Sequence, residues 1–387
     1  MALSPVTGVE SDNTILSNER VIDMDDTIVY LDPEVSQFTT MLMKAKRRQA
    51  QATKVEWLED ELFPRLSAVV SGGASDGATI TVTTGQGAYF RAGDLVRNAH
   101  TGCGFKVTSV AGDVITPGNV IGRVAFSAHT AADQLVIIGN ASAQGATLGT
   151  RLIVKRVAQY NYTQIQRNPY GFTRSLMASK LYGGPEPGKE RNKKGTEHKR
   201  AIEYSLFWGI RSLDTSGAQP VGASGGLFEY VTTNVQNAAG TLTKTLLDTY
   251  MRGFLQHGPS GSGVLFVSPL FAQALSGFLR DAWQPVTTDT KLWGAVVDGF
   301  ISGAYGTRVP VIVKKDWNDF SSASTQYGGW AFYVNMDNVE FNTLRDTQLL
   351  SDRQANDADS LDEEYLTEFS LKVQHERTHG IVTGVTG

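Results

Sequence analysis

Two strand-like segments, Thr53–Phe63 and Arg151–Tyr162, flank residues 72–147, a stretch of different composition. In TKVEWLEDELF, Val55 and Trp57 point one way and Glu56 the other, the period of a strand. RLIVKRVAQYNY is read as its strand partner. The stretch between them opens with GGASDG and closes with GNASAQG, both linker chemistry. Inside it lie short strand-like runs at Thr79–Thr83, Asp94–Arg97, Phe105–Val110, Asp113–Thr116, Val120–Phe126 and Gln134–Ile138. Gly93-Asp94, Gly112-Asp113 and Pro117-Gly118 separate them as turns. Short, evenly spaced strands predict a small barrel or sandwich. A unit of about 75 residues folds alone only marginally. The chain must therefore start a strand pair, build an all-β insertion, and return to complete the pair. This predicts a protruding hairpin with a grafted domain.

A second constraint follows. Pro187–Leu213 begins with charges (Lys189, Glu190, Arg191, Lys193, Lys194, Glu197, Lys199, Arg200) and ends with Ile202, Leu206 and Ile210 at steps of four. That spacing stacks apolar side chains on one helical face, with Tyr204, Phe207 and Trp208 around them. It predicts a long helix, wet at one end and buried at the other. Gly195 costs about 1 kcal/mol against alanine, which predicts fraying of the first turns.

The other segments fill in the frame. Residues 1–45 are acidic (Glu10, Asp12, Glu19, Asp23, Asp25, Asp26), with sparse hydrophobics at Ile28–Leu31. They predict an extended arm that needs another surface. Residues 214–240 are rich in Gly, Ala, Ser and Asn and read as a loop, with a short strand at Phe228–Thr232. Leu242–His257 is an amphipathic helix stopped by Gly258. Gly263–Ser268 reads as a buried strand and Pro269–Arg280 as a helix. Arg308–Lys314 and Gly329–Asn335 read as strands. Asp346–Tyr365, with Asp352, Asp357, Asp359, Asp362, Glu363 and Glu364, reads as an exposed acidic loop. A strand follows through Phe369, Leu371 and Val373. The fold class is α+β.

Composition narrows the function classes. Hydrophobic residues are 41% and charged residues 19%, a globular balance. The net charge of -4 argues against nucleic-acid binding through bulk positive charge. The single cysteine, Cys103, excludes an intrachain disulfide framework and has no base or metal partner in sequence. MALSPVTGVESDN has neither a basic stretch nor an apolar core and predicts no signal peptide. No apolar run reaches the roughly 18 residues of a membrane helix. A reducing cytoplasm is the expected site of folding.

Short motifs add no chemistry. His375-Glu376-Arg377-Thr378-His379 matches H-E-x-x-H, which binds zinc from one helical face. The alternation before it predicts a strand, which would put the two histidines about 13 Å apart, so no metal is expected. Gly222–Gly226 matches G-x-S-x-G, but no strand or helix is predicted around it, so a flexible loop is expected. The glycine-rich Gly258–Gly263 precedes its strand, the reverse of a dinucleotide turn. The acidic loop lacks the glycine and spacing of a calcium hand, which leaves solvation or ion pairing. Lys44–Arg48 and Lys189–Lys194 read as solvated faces ahead of phosphate contacts. No catalytic, cofactor-binding or metal-binding residue and no cofactor are expected, and no enzyme activity.

The ordered layout, with VEWLEDEL (55–62), FRAGDLVRN (90–98), ADQLVIIGNA (132–141), EHKRAIEYSLFWG (197–209) and HERTHGIVTGVTG (375–387), resembles the major capsid proteins of tailed bacteriophages. The branch it resembles has the Hong Kong 97-type fold with a β-barrel inserted in the E-loop. The resemblance implies an N-terminal arm at 1–48 and E-loop strands at 49–71 and 148–170. It implies an inserted barrel at 72–147 and a spine helix at 187–213. The P domain would be 214–259 with 351–387, and the A domain 260–350. The family's lysine–asparagine cross-link cannot be placed here. No fused scaffolding segment is expected, because a heptad-like helical stretch before the arm is lacking.

The implied function is self-assembly, through hexamers and pentamers held by arm and E-loop contacts, into an icosahedral head around double-stranded DNA. Separate scaffolding, portal and decoration proteins are the further partners. DNA would be touched only by weak non-specific contact, and no membrane is involved. The protein would reside in the virion after assembly in the host cytoplasm. One rival reading is a bacterial nanocompartment shell of the same fold. Another is a glycan-binding tail or surface adhesin using Tyr89, Phe90, Phe105 and Phe126 of the barrel.

Overall fold

A computed structural model describes residues 36–72, 78–131, 133–147, 149, 151–179, 186–257, 262–279, 283–284, 298–301, 306–317 and 327–386. The arm expected before residue 36, the linker after Gly72 and Gly258–Gly261 lie outside the described residues. The chain divides into two compact units, Met1–Trp57 with Tyr160–Gly387, and Leu58–Gln159.

The larger unit is organised by a seven-stranded mixed sheet. Its order is Val235–Gly240, Gly380–Val385, Ala331–Asn335, Gly263–Val267, Arg308–Val313, Asp298–Ile301, Trp283–Gln284. Gly263–Val267 and Ala331–Asn335 are buried at every position, as strands covered on both faces must be. Alternate side chains feed two cores. Val264, Phe266, Phe332 and Val334 join Ile202, Leu206 and Phe207. Leu265, Val267, Ala331 and Tyr333 join Leu247, Met251, Phe254 and Phe271. The sheet crosses the expected domain limits, because its edge strand Val235–Gly240 and the next strand, Gly380–Val385, come from outside 260–350. The strand at 235–240 replaces the expected loop, and Phe228 lies in a short helix, not a strand.

Six helices lie among the described residues: α1 (Gln37–Ala45), α2 (Arg174–Ala178), α3 (Glu186–Trp208), α4 (Leu227–Tyr230), α5 (Lys244–Phe254) and α6 (Pro269–Leu279). In α5, Leu247, Tyr250, Met251 and Phe254 are buried at the spacing of one helical face. The Thr243 hydroxyl caps its start by accepting from the Leu246 N–H at 3.3 Å.

α3 runs unbroken through Gly195, against the expectation of fraying. The glycine has a packing reason: a Cβ there would stand 3.3 Å from the Tyr365 hydroxyl, which donates to the Arg191 carbonyl at 3.2 Å. The helix ends at Trp208, where two glycine backbones cross. The Gly226 N–H donates to the Gly209 carbonyl at 2.8 Å. Ile210 lies beyond this stop and is 72% exposed, so it does not share the buried face of Ile202 and Leu206.

Within the expected arm, the described residues pack on their own chain. Phe38, Met41 and Leu42 of α1 are in the core, and Arg47–Gln49 pairs in parallel with Phe341–Thr343. α1 is fixed by a buried carboxylate on α3. Glu203 Oε1 accepts from the Phe38 N–H at 3.1 Å, and Oε2 accepts from the Thr39 N–H at 2.8 Å and the Thr39 hydroxyl at 2.6 Å. Free N–H groups of a first helical turn favour an anion. Lys314 Nζ, also buried, lies 2.6 Å from Glu203 Oε1 and 3.8 Å from Asp316 Oδ1.

A second sheet has the order Arg47–Gln49, Val339–Leu350, Ser360–Val373, Gln164–Thr173. Its long strands correct the exposed acidic loop expected at Asp346–Tyr365: Glu363 and Glu364 are buried within a strand. The strand stands where a loop was expected because carboxylates on both of its faces are met by arginines from other segments.

The smaller unit is a closed antiparallel barrel, in order Leu66–Gly72, Ile80–Val82, Val114–Val120, Gly104–Ala111, Asp94–Asn98, Gln134–Asn140. Val69, Ile80, Val96, Phe105, Val107, Ile115 and Leu135 fill it. The barrel starts at Leu66, upstream of the expected limit at 72, because Leu66–Ala68 pairs with Gln134–Val136. Lys54–Glu59 pairs with Val157–Tyr162, and the chain passes through this ribbon into the barrel unit and back. Residues 151–156, expected to extend that strand, have no regular structure.

Two tests follow from the packing. A Cβ at Gly226 would stand 2.6 Å from the Gly209 nitrogen, whereas Gly253 in α5 has open space around it. Gly226→Ala is expected to cost about 1–3 kcal/mol, or more if the crossing cannot part. Gly253→Ala is expected to be neutral or to gain up to about 1 kcal/mol. Urea unfolding of both variants checks this.

Lys314→Met is expected to cost about 3–5 kcal/mol, because it leaves Glu203 buried without its cation. Pairing it with Glu203→Gln is expected to cost less than the sum of the two single changes, read as a coupling energy in a double-mutant cycle.

Candidate assembly surface

The ribbon is amphipathic in a way its own chain does not use up. In Lys54–Glu59, Trp57 is buried but Leu58 is 64% exposed. Val157 is exposed on the facing strand, and in the flanking segments Leu62 is 95% and Ile153 84% exposed. Asp60 and Arg156 form an exposed ion pair at 3.3 Å across these segments. A second exposed apolar group lies where the chain leaves α3. Ile210, Leu213 and Val221 stand on and beside the small hairpin of Ser212–Asp214 with Val221–Ala223. Single exposed hydrophobics are ordinary, but concentrations of them mark contact surfaces.

The base of the ribbon is rigidly held. Trp57 packs on Tyr230 with ring centroids 5.8 Å apart. The Arg211 guanidinium lies 4.6 Å from the Tyr160 ring and 5.4 Å from that of Tyr230. Arg211 Nη1 and the Tyr230 hydroxyl both donate to the Tyr160 carbonyl, at 3.1 and 2.8 Å. Asn161, fully buried, donates from Nδ2 to the carbonyls of Leu371 at 2.6 Å and Gly225 at 3.0 Å. Its Oδ1 accepts from the N–H of Gly225 at 2.9 Å. One side chain therefore ties three segments.

Beside the ribbon, Ser360–Val373 carries a ladder of ion pairs. Arg167 grips Glu364 through two bonds of 2.8 Å, and Arg353 Nη2 joins at 3.1 Å. Arg191 of α3 grips Glu363, which also accepts from the Tyr170 hydroxyl at 2.7 Å. Arg345 Nε lies 2.7 Å from Glu368, which accepts from the Thr163 hydroxyl at 2.9 Å. Neighbouring Glu363 and Glu364 point to opposite faces, so this strand bonds to α3 on one side and to sheet arginines on the other. His198 of α3 spans Asn168 Oδ1 at 2.8 Å and the Thr367 hydroxyl at 2.7 Å.

The sequence motifs resolve into structure. His375 and His379 are not on a strand: they bracket a one-turn helix, Glu376–Thr378, with His375 in the left-handed region. His379 is buried, with Nδ1 accepting from the Asn335 N–H at 3.2 Å and Nε2 facing the Gln374 carbonyl at 3.3 Å. The Glu376 carboxylate accepts from the N–H groups of Thr232 and Thr233 at 2.9 and 3.0 Å. Two of the motif's three metal-type side chains are thus committed to backbone.

Ser224 does lie between a strand, Val221–Ala223, and a helix, α4, contrary to the expected flexible loop. Its buried hydroxyl accepts from Asn161 Nδ2 and the Leu371 N–H, both at 3.2 Å, so it is a joint in the ribbon base. Lys46 and Arg47 pair with Asp337 and Asp346, and Lys194 with Glu197. Cys103 is buried. Phe90 and Phe105 fill the barrel, which removes them from any glycan surface. The side chains that sequence reading missed are Glu203, Lys314 and Asn161. Their only local signal is a polar residue set in an apolar run, EYSLFW, VIVKKDW and QYNY.

Burial and pairing make the body acid-sensitive. Burial lowers both His198 and His379 from 6.5 to about 4. The unfolded chain therefore binds more protons between these values, so this contribution is complete above about pH 6.5 and is lost as pH falls toward 4. Arg191 and Arg167 hold Glu363 and Glu364 below their ordinary 4.5, so their contribution is lost at still lower pH. Melting temperature is expected to fall in this order on acidification. Replacing His198 with Asn is expected to flatten the upper part of the curve.

Residues 7–386 match the model of the SU10 major capsid protein family. A curated relative, the major capsid protein of Pseudomonas phage PaMx41, is 28% identical over 167 residues, which are 43% of this chain and 40% of that protein. Among solved structures, a chain of Mycobacterium phage Bobi matches with a TM-score of 0.52 at 9% identity, covering 97% of this chain and 99% of that one. A chain of Gordonia phage Cozz matches with a TM-score of 0.51 at 9% identity, covering 100% and 98%. These two likenesses concern the fold alone, and they agree with the α+β, Hong Kong 97-type architecture with a small closed barrel. By its family match over almost its whole length, the chain belongs to the SU10 major capsid protein family.

Proposed function

We propose that this protein is the structural subunit of an icosahedral bacteriophage head, assembling with itself around double-stranded DNA. The observation that carries this reading is the exposed apolar set on and beside the ribbon, Leu58, Leu62, Ile153 and Val157. Stable covering of such side chains calls for another copy of the chain. The ribbon and its flanks, within 49–71 and 148–170, serve as the E-loop, and the barrel is its insertion. The N-terminal arm lies within 1–48, of which α1 and Arg47–Gln49 pack on their own chain. α3 serves as the spine helix within 187–213. The P domain, expected at 214–259 and 351–387, and the A domain, expected at 260–350, share the seven-stranded sheet, to which 235–240 and 380–385 contribute two strands.

The subunits form hexamers and pentamers, with separate scaffolding, portal and decoration proteins as further partners. DNA is touched weakly and without sequence preference. Assembly takes place in the host cytoplasm, and the subunit has no catalytic role. The family match favours this reading over a nanocompartment shell or an adhesin.

Leu62→Glu combined with Ile153→Glu tests it. The subunit is expected to keep its far-UV spectrum and melting temperature, since both side chains are exposed, while electron micrographs lose closed shells. Normal shells from the double variant would sink the ribbon as the assembly contact.

A further inference from the structure

In the barrel unit, residues 121–131 have no regular structure; Phe126 packs against the core and the imidazole of His129 is buried. His129 is 2% exposed and stands edge-on to Phe105 and Phe126, with ring centroids 5.7 and 5.1 Å away. Its Nδ1 lies 2.8 Å from Asn98 Nδ2. The Asn98 amide cannot turn round without loss. Its Oδ1 accepts from the N–H groups of His100 and Thr101 at 2.8 and 3.1 Å, and its Nδ2 also donates to Asp133 Oδ2 at 3.0 Å. Asn98 therefore presents a donor to His129, and Nδ1 must accept. This fixes the neutral ring with its proton on Nε2.

Protonating Nδ1 would set two donors face to face at 2.8 Å. The far side offers no relief, since Nε2 is buried with no hydrogen-bond partner among the described residues. Asp133 is the charge whose field reaches His129, and it favours protonation. Its oxygens are already taken by Asn98, the Thr130 N–H at 2.9 Å and His100 Nδ1 at 3.1 Å. Burial outweighs that field and lowers His129. Phe105, Phe126 and the nearby Gly72 bring no charge. The segment's backbone ties lie at its ends: Ile121 N–H to Gly104 O at 2.8 Å, and Thr130 O to the Asp133 N–H at 3.1 Å.

We infer that His129 is an acid-sensitive latch: the neutral ring holds residues 121–131 against the barrel through Asn98, and the protonated ring releases them. Acid then changes the outer surface of the barrel while its strands stay paired.

Hydrogen exchange of the full chain, corrected for intrinsic rates, tests the latch. Between about pH 7 and about pH 4.5, amides in 121–131 are expected to lose about tenfold or more of their protection, while those of 104–111 and 114–120 keep theirs. His129→Asn places an uncharged acceptor where Nδ1 stood and is expected to keep the segment protected at the lower pH. Unchanged protection in the native chain would overturn the proposal. So would equal loss in His129→Asn, which would assign the effect to Asp133 or His100. Nitrogen-15 histidine spectra of the native protein give a test independent of any variant. At neutral pH His129 is expected as the Nε2–H tautomer, and an Nδ1–H or charged ring would overturn the latch.

Discussion

The body of this protein depends on one buried carboxylate. Glu203 projects from α3 into the core and takes the first N–H groups of α1, with Lys314 as its cation. An unpaired charge at that depth would be prohibitive, and a pair alone would barely repay its desolvation. Three donors from residues 38 and 39 besides the lysine change that balance. The same side chain thus joins three elements: α1, α3, and the strand Arg308–Val313 just before Lys314. The aromatic cluster of Phe38, Phe207, Phe266 and Trp317 packs around this joint.

From that joint, rigidity passes outward by polar contacts. α3 is bound to Ser360–Val373 through the Arg191 side chain and carbonyl and through His198. The other face of that strand is bound to Gln164–Thr173 through Arg167. Asn161 then fixes the root of the ribbon. The buried carboxylates supply geometry more than net stability.

The barrel follows a different logic. It has its own apolar core and its own polar network around Asn98, Asp133 and His129. Its acid response is set by one tautomer, whereas that of the body is set by buried histidines and arginine-held carboxylates. Two pH responses in one chain are possible because each network is closed within its own unit.

Much of this was legible in the sequence where the signal is local. The apolar steps of α5, the alternation around Trp57, the apolar run GVLFV and the turn-divided strands of the barrel all state their structure within a few residues. What failed was decided at long range. Glu363 and Glu364 read as solvent-facing until arginines from residues 167 and 191 arrive to bury them. Ile210 reads as core until the crossing of Gly209 with Gly226 stops the helix before it. His375 and His379 were set on a strand because the period of Phe369, Leu371 and Val373 carries no mark of where it ends. Periodicity assigns a residue to an element and a face. Whether a charge on that face meets water or a partner depends on segments more than a hundred residues away, and that only the tertiary structure decides.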